Sequence, residues 1–330
     1  MIDLKIPVNR PIDAICLGRA GVDLYAREAN TDFNDVSGFE KYVGGSPANI
    51  AVALAKLGAK SGLISCVSDD GLGQYVCDYL KSMGVDLQGI AVDKTGSRTS
   101  LAITEMKPSN CEVVIYRNNA ADLSLSAQQI DPTYIASAKM LIVTGTALST
   151  SPSREATLLA IDYARRAGTL VVLDIDYRPY SWGSPEDSAL YYQLAAGLSD
   201  IVIGNREEFD VMEYMIDRGN KDDDKTAARY LIKSTQVVVI KAGELGSKIY
   251  TRNGCHFEQG IFPVTVKKPF GAGDSFAGAL VYALLEGYGL QIGVKMGSAA
   301  AAINVSRDSC TEAMPTLKEL QDFIAERENV

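Results

Sequence analysis

The segment Lys268-Pro269-Phe270-Gly271-Ala272-Gly273-Asp274-Ser275-Phe276 sets small residues and one acid in front of a long apolar run, AGALVYALLEG. Small residues opening a helix leave its first N–H groups bare, and those groups together with the helix dipole attract an anion. A carboxylate in the same turn repels that anion, so Asp274 needs a different target. Phosphoryl transfer to an alcohol supplies one. The migrating group needs donors for its equatorial oxygens, and the attacking hydroxyl needs an acceptor for its proton. On this reading Gly271, Ala272 and Gly273 form an anion hole and Asp274 is the general base. The alternative is that Asp274 or Ser275 is a plain N-cap, with the glycines serving the turn. The helix predicted over Phe276–Leu285 is apolar on almost every face. It should be buried, which puts the acid at the floor of a cleft.

Other chemistries are poorly supplied. His256 is the only histidine, which disfavours a multi-imidazole zinc site and Ser-His-Asp or Cys-His catalysis. The six cysteines, Cys16, Cys66, Cys77, Cys111, Cys255 and Cys310, contain no CxxC pair and read as buried free thiols in a reducing cytosol. A net charge of −9 argues against nucleic acid or an anionic membrane as partner. No apolar run approaches the ~18 residues that span a bilayer. The start, MIDLKIPVNRPIDAI, lacks a signal-peptide pattern. The expected location is the cytoplasm. Walker and protein-kinase motifs are absent, and Gly271-Ala272-Gly273 fails G-x-G-x-x-G because Phe276 holds the last position. The run Asp222-Asp223-Asp224 reads as a solvated helix start.

The elements that must position these residues alternate along the chain. Apolar, β-branched runs predict strands at Asp13–Leu17, Gly62–Val67, Met140–Thr144, Leu170–Ile175, Ile201–Ile203 and Val237–Lys241. Helical patterns between them cover Pro47–Leu57, Leu72–Met83, Arg154–Ala167, Asp187–Ala196, Glu207–Met215 and Thr226–Ser234. An antiparallel pair, Ser247–Arg252 with Cys255–Pro263, precedes helices near Ser275–Glu286, Leu290–Asn304 and Leu317–Arg327. The expected fold class is α/β: a three-layer sandwich around a mainly parallel sheet. Two stretches, 31–43 and 99–117, read as strands without a helix between them. They are expected to form a small β lid, the second turning at Pro108-Ser109-Asn110. No linker or repeat interrupts residues 1–330, which read as one domain. Ligands of open parallel sheets bind beyond the strands' carboxyl ends. Those ends carry Gly18-Arg19-Ala20-Gly21-Val22-Asp23, Asp176-Tyr177-Arg178 and Asn205.

Four motifs in order resemble one family. GAGDSFAG is similar to the C-terminal signature of the ribokinase-like (PfkB) carbohydrate kinases, and Gly44-Gly45-Ser46-Pro47-Ala48-Asn49 to their N-terminal GG-x-x-x-N. Asn205-Arg206-Glu207-Glu208 fits their N-x-x-E, and Gly243-Glu244-Leu245-Gly246 their G-x-x-G before a strand. The resemblance implies a ribokinase-like fold, a lid that pairs subunits into a homodimer, and ATP-dependent phosphorylation of a sugar's primary hydroxyl. It implies Asp274 as base over the Gly271–Gly273 anion hole. It implies Asp23, Gly44, Gly45 and Asn49 around the sugar, and Asn205 with Glu208 organising Mg2+ through water. Lys241, Gly243 and Gly246 would lie beside the nucleotide. One departure stands out. The family's usual Asp-Thr-x before the anion hole, whose Asp helps hold a monovalent cation, is here Lys268-Pro269-Phe270. That puts the monovalent cation in doubt: the Lys268 ammonium either stands in for it or faces solvent.

The acceptor is expected to be an anionic sugar. Arg178 after one strand and Tyr116-Arg117 at the end of the lid hairpin suit a carboxylate, which a guanidinium binds with fork geometry. A structural ion pair is the alternative for each arginine. DIDYRPYSWGS and the Ser306–Thr316 region resemble the sugar-acid branch of the family, with the 6-hydroxyl of a keto, deoxy acid of myo-inositol breakdown as acceptor. Acceptors such as 2-keto-3-deoxygluconate or a neutral sugar remain alternatives. So does a non-catalytic sugar-acid or nucleotide sensor. A dehydrogenase is disfavoured by the missing fingerprint near the first strand.

Overall fold

A computed structural model describes residues 4–232 and 234–328. In chain order the elements are β1 (Ile12–Leu17), β2 (Gly21–Ala29), β3 (Phe39–Gly44), α1 (Ser46–Leu57), β4 (Ser61–Ser68), α2 (Gly71–Ser82), β5 (Asp86–Asp93), β6 (Leu101–Met106), β7 (Val113–Tyr116), α3 (Pro132–Ala136), β8 (Ala138–Thr144), α4 (Ser153–Ala167), β9 (Leu170–Asp174), α5 (Pro185–Leu198), β10 (Ile201–Asn205), α6 (Arg206–Met212), α7 (Asp223–Leu231), β11 (Val237–Lys241), β12 (Ser247–Thr251), β13 (His256–Gln259), α8 (Ala272–Leu285), α9 (Leu290–Val305) and α10 (Leu317–Glu328).

The main sheet has nine strands in the order β13-β12-β11-β10-β9-β8-β1-β4-β5. It is parallel from β5 to β11 and ends in the antiparallel pair β12 and β13. Alternate side chains of the central strands enter two separate cores. Ala14, Cys16, Ile142, Val172 and Ile203 pack with α1, α2, α8 and α9. Ile15, Leu17, Val143, Leu173 and Val202 pack with α3 to α7. Both faces are therefore covered, which is why these strands read as unbroken apolar runs. Register aligns their carboxyl ends: Ile203 lies opposite Asp174, and Asn205 opposite Lys241.

A second sheet, β3-β2-β6-β7, stands apart from the first. Two features of the predicted lid need correction. Within 31–43 only Phe39–Gly44 is a strand; Phe33–Asp35 is a single 3-10 turn, as its Asp- and Asn-rich sequence favours. The sheet also contains β2, so Asp23 sits in a strand and not in a loop after β1. Strand β5 escapes the apolar-run pattern. It is the sheet's edge, half exposed, and its sequence DLQGIAVD carries polar residues accordingly. The helix predicted to Ser234 ends at Leu231, and Lys233 lies outside the described residues. Not every thiol is buried: Cys255 is exposed, and all six cysteines are free.

Helix α8 is buried from Ser275 to Leu284. It packs on α9 and crosses α1 closely. A methyl group at Gly278 would lie 2.6 Å from Ala53 Cβ, so only glycine permits this approach. The consequence is functional geometry: the first turns of α1 and α8 meet. No helix among the described residues is long and apolar enough to cross a membrane.

Candidate active site

A cavity of about 400 Å3 opens where the carboxyl ends of the central strands, the starts of α1 and α8, and the second sheet converge. Asp274, Gly271, Asp23, Gly45, Asn49, Arg117 and Arg178 line it, together with Ala102, Thr104, Val113 and Ile115 from the second sheet.

Helix α8 begins at Ala272. Its N-cap is Gly271, in the left-handed region at φ 86°, and no side chain caps it. The N-cap alternative for Asp274 and Ser275 is thereby excluded: Ser275 Oγ donates to Ala300 O instead. The first-turn amides stay open to a ligand. A β-carbon at Gly271 would meet Asn304 Oδ1 at 2.6 Å and Cys310 Sγ at 2.7 Å, so the turn has no room for a side chain.

Asp274 accepts from Ser46 Oγ at 2.6 Å and from Asn49 Nδ2 at 2.7 Å, and forms no ion pair among the described residues. Burial, then the charge of Asp176, pushes its carboxyl up to about 6, against those two hydrogen bonds and Arg178. A carboxylate poised there is matched to proton transfer near neutral pH. Asn49 Oδ1 is buried without a partner. Asp23 holds Arg19 at 3.2 Å and accepts from Tyr25 OH at 3.2 Å. Gly44 and Gly45 serve it by their smallness. A methyl at Gly44 would overlap the Asp23 carboxylate at 2.0 Å, and one at Gly45 would meet Arg19 O at 2.3 Å.

The arginines divide. Arg117 is buried and bonded through Nε and Nη2 to Asp122, at 2.9 and 2.6 Å, and through Nη1 to Thr146 O. Its fork is thus engaged by Asp122, while the residue still lines the cavity wall. Arg178 pairs with Asp176 at 2.8 Å but keeps a side chain 46% exposed, facing the cavity. Tyr116 is corrected. At 57% exposure it points out of β7, and its neighbour Ile115 lines the cavity instead, as strand alternation requires.

The residues expected around the nucleotide are not part of the cavity lining, and Lys241 adjoins it. Lys241 Nζ is 3.6 Å from Asp174 Oδ1 and would be 3.2 Å from a β-carbon on Gly273, so it borders the bare helix start. Burial pushes the Asp174 carboxyl up, against the Lys241 charge. Asn205 and Glu208 form a reciprocal capping box on α6, and Glu208 also accepts from Tyr177 N at 3.2 Å. Those bonds occupy much of the Glu208 carboxylate, and no cluster of three metal-ligating side chains exists among the described residues. A divalent ion carried on phosphate oxygens and reached through water fits this arrangement; a protein-caged one does not. Gly243 and Gly246, at φ 57° and 87°, make the tight turn from β11 to β12. Lys268 is fully buried, so the solvent-facing alternative for it is excluded.

Sequence reasoning passed over three contributors. Ser46 lies inside the quoted GGSPAN and was legible there. Arg19 and Asp176 stand in the strand-end segments already singled out, but their residue types there assigned them no role. Asp176 adopts φ 39°, the left-handed region, and that conformation swings its carboxylate into the cavity beside Arg178.

The chain matches the description "pfkB family carbohydrate kinase" over residues 12–317. It is 64% identical to a 5-dehydro-2-deoxygluconokinase of Photobacterium profundum, the alignment covering 99% of each chain. Among solved structures it is similar to an uncharacterised sugar kinase of Pyrococcus horikoshii in complex with ATP. That match has a TM-score of 0.81 and 26% identity, over 96% of this chain and 100% of the other. It also shares the fold of a protein described as a ribokinase II of E. coli, in complex with ATP and Mg2+, with a TM-score of 0.86 and 24% identity over 96% and 99% of the two chains. The ribokinase-like fold expected from the four motifs is the fold observed. With the family match spanning nearly the whole sequence, the chain belongs to the pfkB family of carbohydrate kinases.

Proposed function

We propose that this carbohydrate kinase uses ATP to phosphorylate the 6-hydroxyl of 5-dehydro-2-deoxy-D-gluconate. The observation that carries the chemistry is Asp274, a half-buried carboxylate lining a cavity with no ion pair among the described residues, three residues inside a helix start that no side chain caps. The name of the 64% identical relative supports the choice of acceptor.

In this mechanism the sugar acid enters between the second sheet and the α1 start. Asp23 and the unpartnered Asn49 Oδ1 take its hydroxyls. Arg178 meets its carboxylate, and Arg19 lines the same cavity. Asp274 accepts the proton of the primary alcohol as the oxygen attacks. The amides from Gly271 to Asp274 receive the migrating phosphoryl, and Lys241 borders its path. Asn205 and Glu208 would hold Mg2+ through water, and the ion would supply charge neutralisation at the phosphates. General-base assistance contributes ~10²–10⁴-fold, and positioning with charge stabilisation contributes more. No free monovalent cation enters this reading.

The second sheet serves as lid, and a homodimer through it is proposed because Val113 and Tyr116 leave it an exposed apolar edge. The cytoplasm, which supplies ATP, is the proposed location.

The decisive experiment is ADP release over a panel of sugar acids and neutral sugars. Turnover of 5-dehydro-2-deoxy-D-gluconate above 2-keto-3-deoxygluconate, ribose and fructose is expected. Preference for a neutral sugar would discard the acid assignment, and no ADP release with any of them would discard the kinase.

A further inference from the structure

Lys268 is 0% exposed and has no carboxylate within ion-pair distance among the described residues. Its Nζ donates instead to two neutral oxygens, Phe270 O at 2.8 Å and Asn304 Oδ1 at 2.8 Å, and lies 5.2 Å from the centre of the Phe270 ring. Burying an ammonium without a counter-ion is costly, so a fold keeps one only where the surroundings are built for it. These surroundings are built. Asn304 is fully buried, and its amide donates to Cys310 O at 2.9 Å, which fixes Oδ1 toward the lysine. The same Oδ1 closes against Gly271, the residue that opens α8. Thus the ammonium lies directly behind the turn whose front presents bare amides. Burial lowers its pKa, and the nearby Cys310, Asp274 and Asp308 oppose that loss.

We propose that Lys268 is a tethered cation of the anion hole: its ammonium pins the Phe270–Gly271 turn and adds fixed positive charge behind the amides that receive the phosphoryl group. This rests on reading the α8 start as the phosphoryl site. Lys268 touches no reacting atom, so its role is positioning and electrostatic. Because the ammonium fills the space between Phe270 O and Asn304 Oδ1, a free monovalent cation has no place there. Removing the side chain leaves two hard oxygen donors around a vacancy suited to K+ or NH4+.

The test is kcat and KM of wild type, Lys268→Met and Lys268→Ala, in K+-free buffer and with K+ or NH4+ added. Wild-type kcat should be indifferent to both ions. Lys268→Met, which fills the space without charge, should lose ~10²–10³-fold in kcat with little change in sugar-acid KM, and neither ion should restore it. Lys268→Ala should lose a similar factor and recover part of it with K+ or NH4+. Near-ultraviolet circular dichroism checks that both variants fold. Wild-type activation by K+ overturns the proposal, even if neither variant folds. So does a folded Lys268→Met with wild-type kcat. A wild type that releases no ADP on any sugar defeats the kinase reading first, and the inference with it.

Discussion

Asn49 Nδ2 donates a 2.7 Å hydrogen bond to Asp274 Oδ2, tying the first turn of α1 to the first turn of α8. The residue expected to hold a sugar hydroxyl therefore also orients the base. In the proposed mechanism one amide does both, because its donor end is committed to Asp274 while its oxygen is buried and has no partner among the described residues.

Replacing Asp274 with Asn keeps the shape of the side chain and removes the proton acceptor. Turnover should fall at least ~10²-fold, while the sugar-acid Kd measured by calorimetry stays nearly constant. A variant with wild-type turnover would remove Asp274 from the chemistry.

Burial pushes the Asp274 carboxyl up to about 6, above its ordinary range. Activity needs the ionised form, so kcat/KM should rise with pH through that value and level off above it. Ser46 stabilises the ionised form, and Ser46→Ala should move this limb upward. Asp176→Asn removes a neighbouring negative charge and should move it downward. For stability the sign is opposite. The folded chain binds this proton more tightly than the unfolded chain, so the contribution is present at acid pH and is lost as pH rises from the ordinary carboxyl range through about 6. A pH–rate profile unmoved by either substitution would sink the assignment.

Gly44→Ala should act on the sugar alone. The new methyl would overlap Asp23 and push its carboxylate off the hydroxyls. Losing a charged hydrogen bond of about 1.5–3 kcal/mol corresponds to a ~10- to 100-fold rise in sugar-acid KM. The KM for ATP should not change, and steady-state kinetics with each substrate varied in turn reads both.

Arg117 and Arg178 should separate by readout. Arg117→Ala strands the buried Asp122 and should cost about 3–5 kcal/mol in urea unfolding, with the ratio of acid to neutral-sugar KM unaltered. Arg178→Gln should leave stability nearly intact and raise KM for the acid far more than for a neutral sugar. Equal effects of Arg178→Gln on the two sugars would dismiss it as the carboxylate ligand.

The parallel sheet, its flanking helices and the helix start at Gly271-Ala272-Gly273-Asp274 were legible because each rests on local pattern: apolar runs, helical period and small residues before a buried helix. The edge strand β5 and the true strands of the second sheet were not, since a half-exposed strand carries polar residues and its pairing is set by distant partners.

Residue types at the helix start determined the local arrangement on which the proposed chemistry rests, an acid in the first turn of a helix that no side chain caps. What the acid touches was decided only when α1 and α8 packed together. Ser46 and Asn49 stand more than 220 positions from Asp274 in sequence, and the close crossing at Gly278 brings them within 2.7 Å. The same packing paired Arg117 with Asp122, turned Tyr116 outward and sealed Lys268 behind the turn that opens α8. Spacing along a chain encodes local shape. Which charges meet, and which are left unpaired to act, follows from burial and long-range contact.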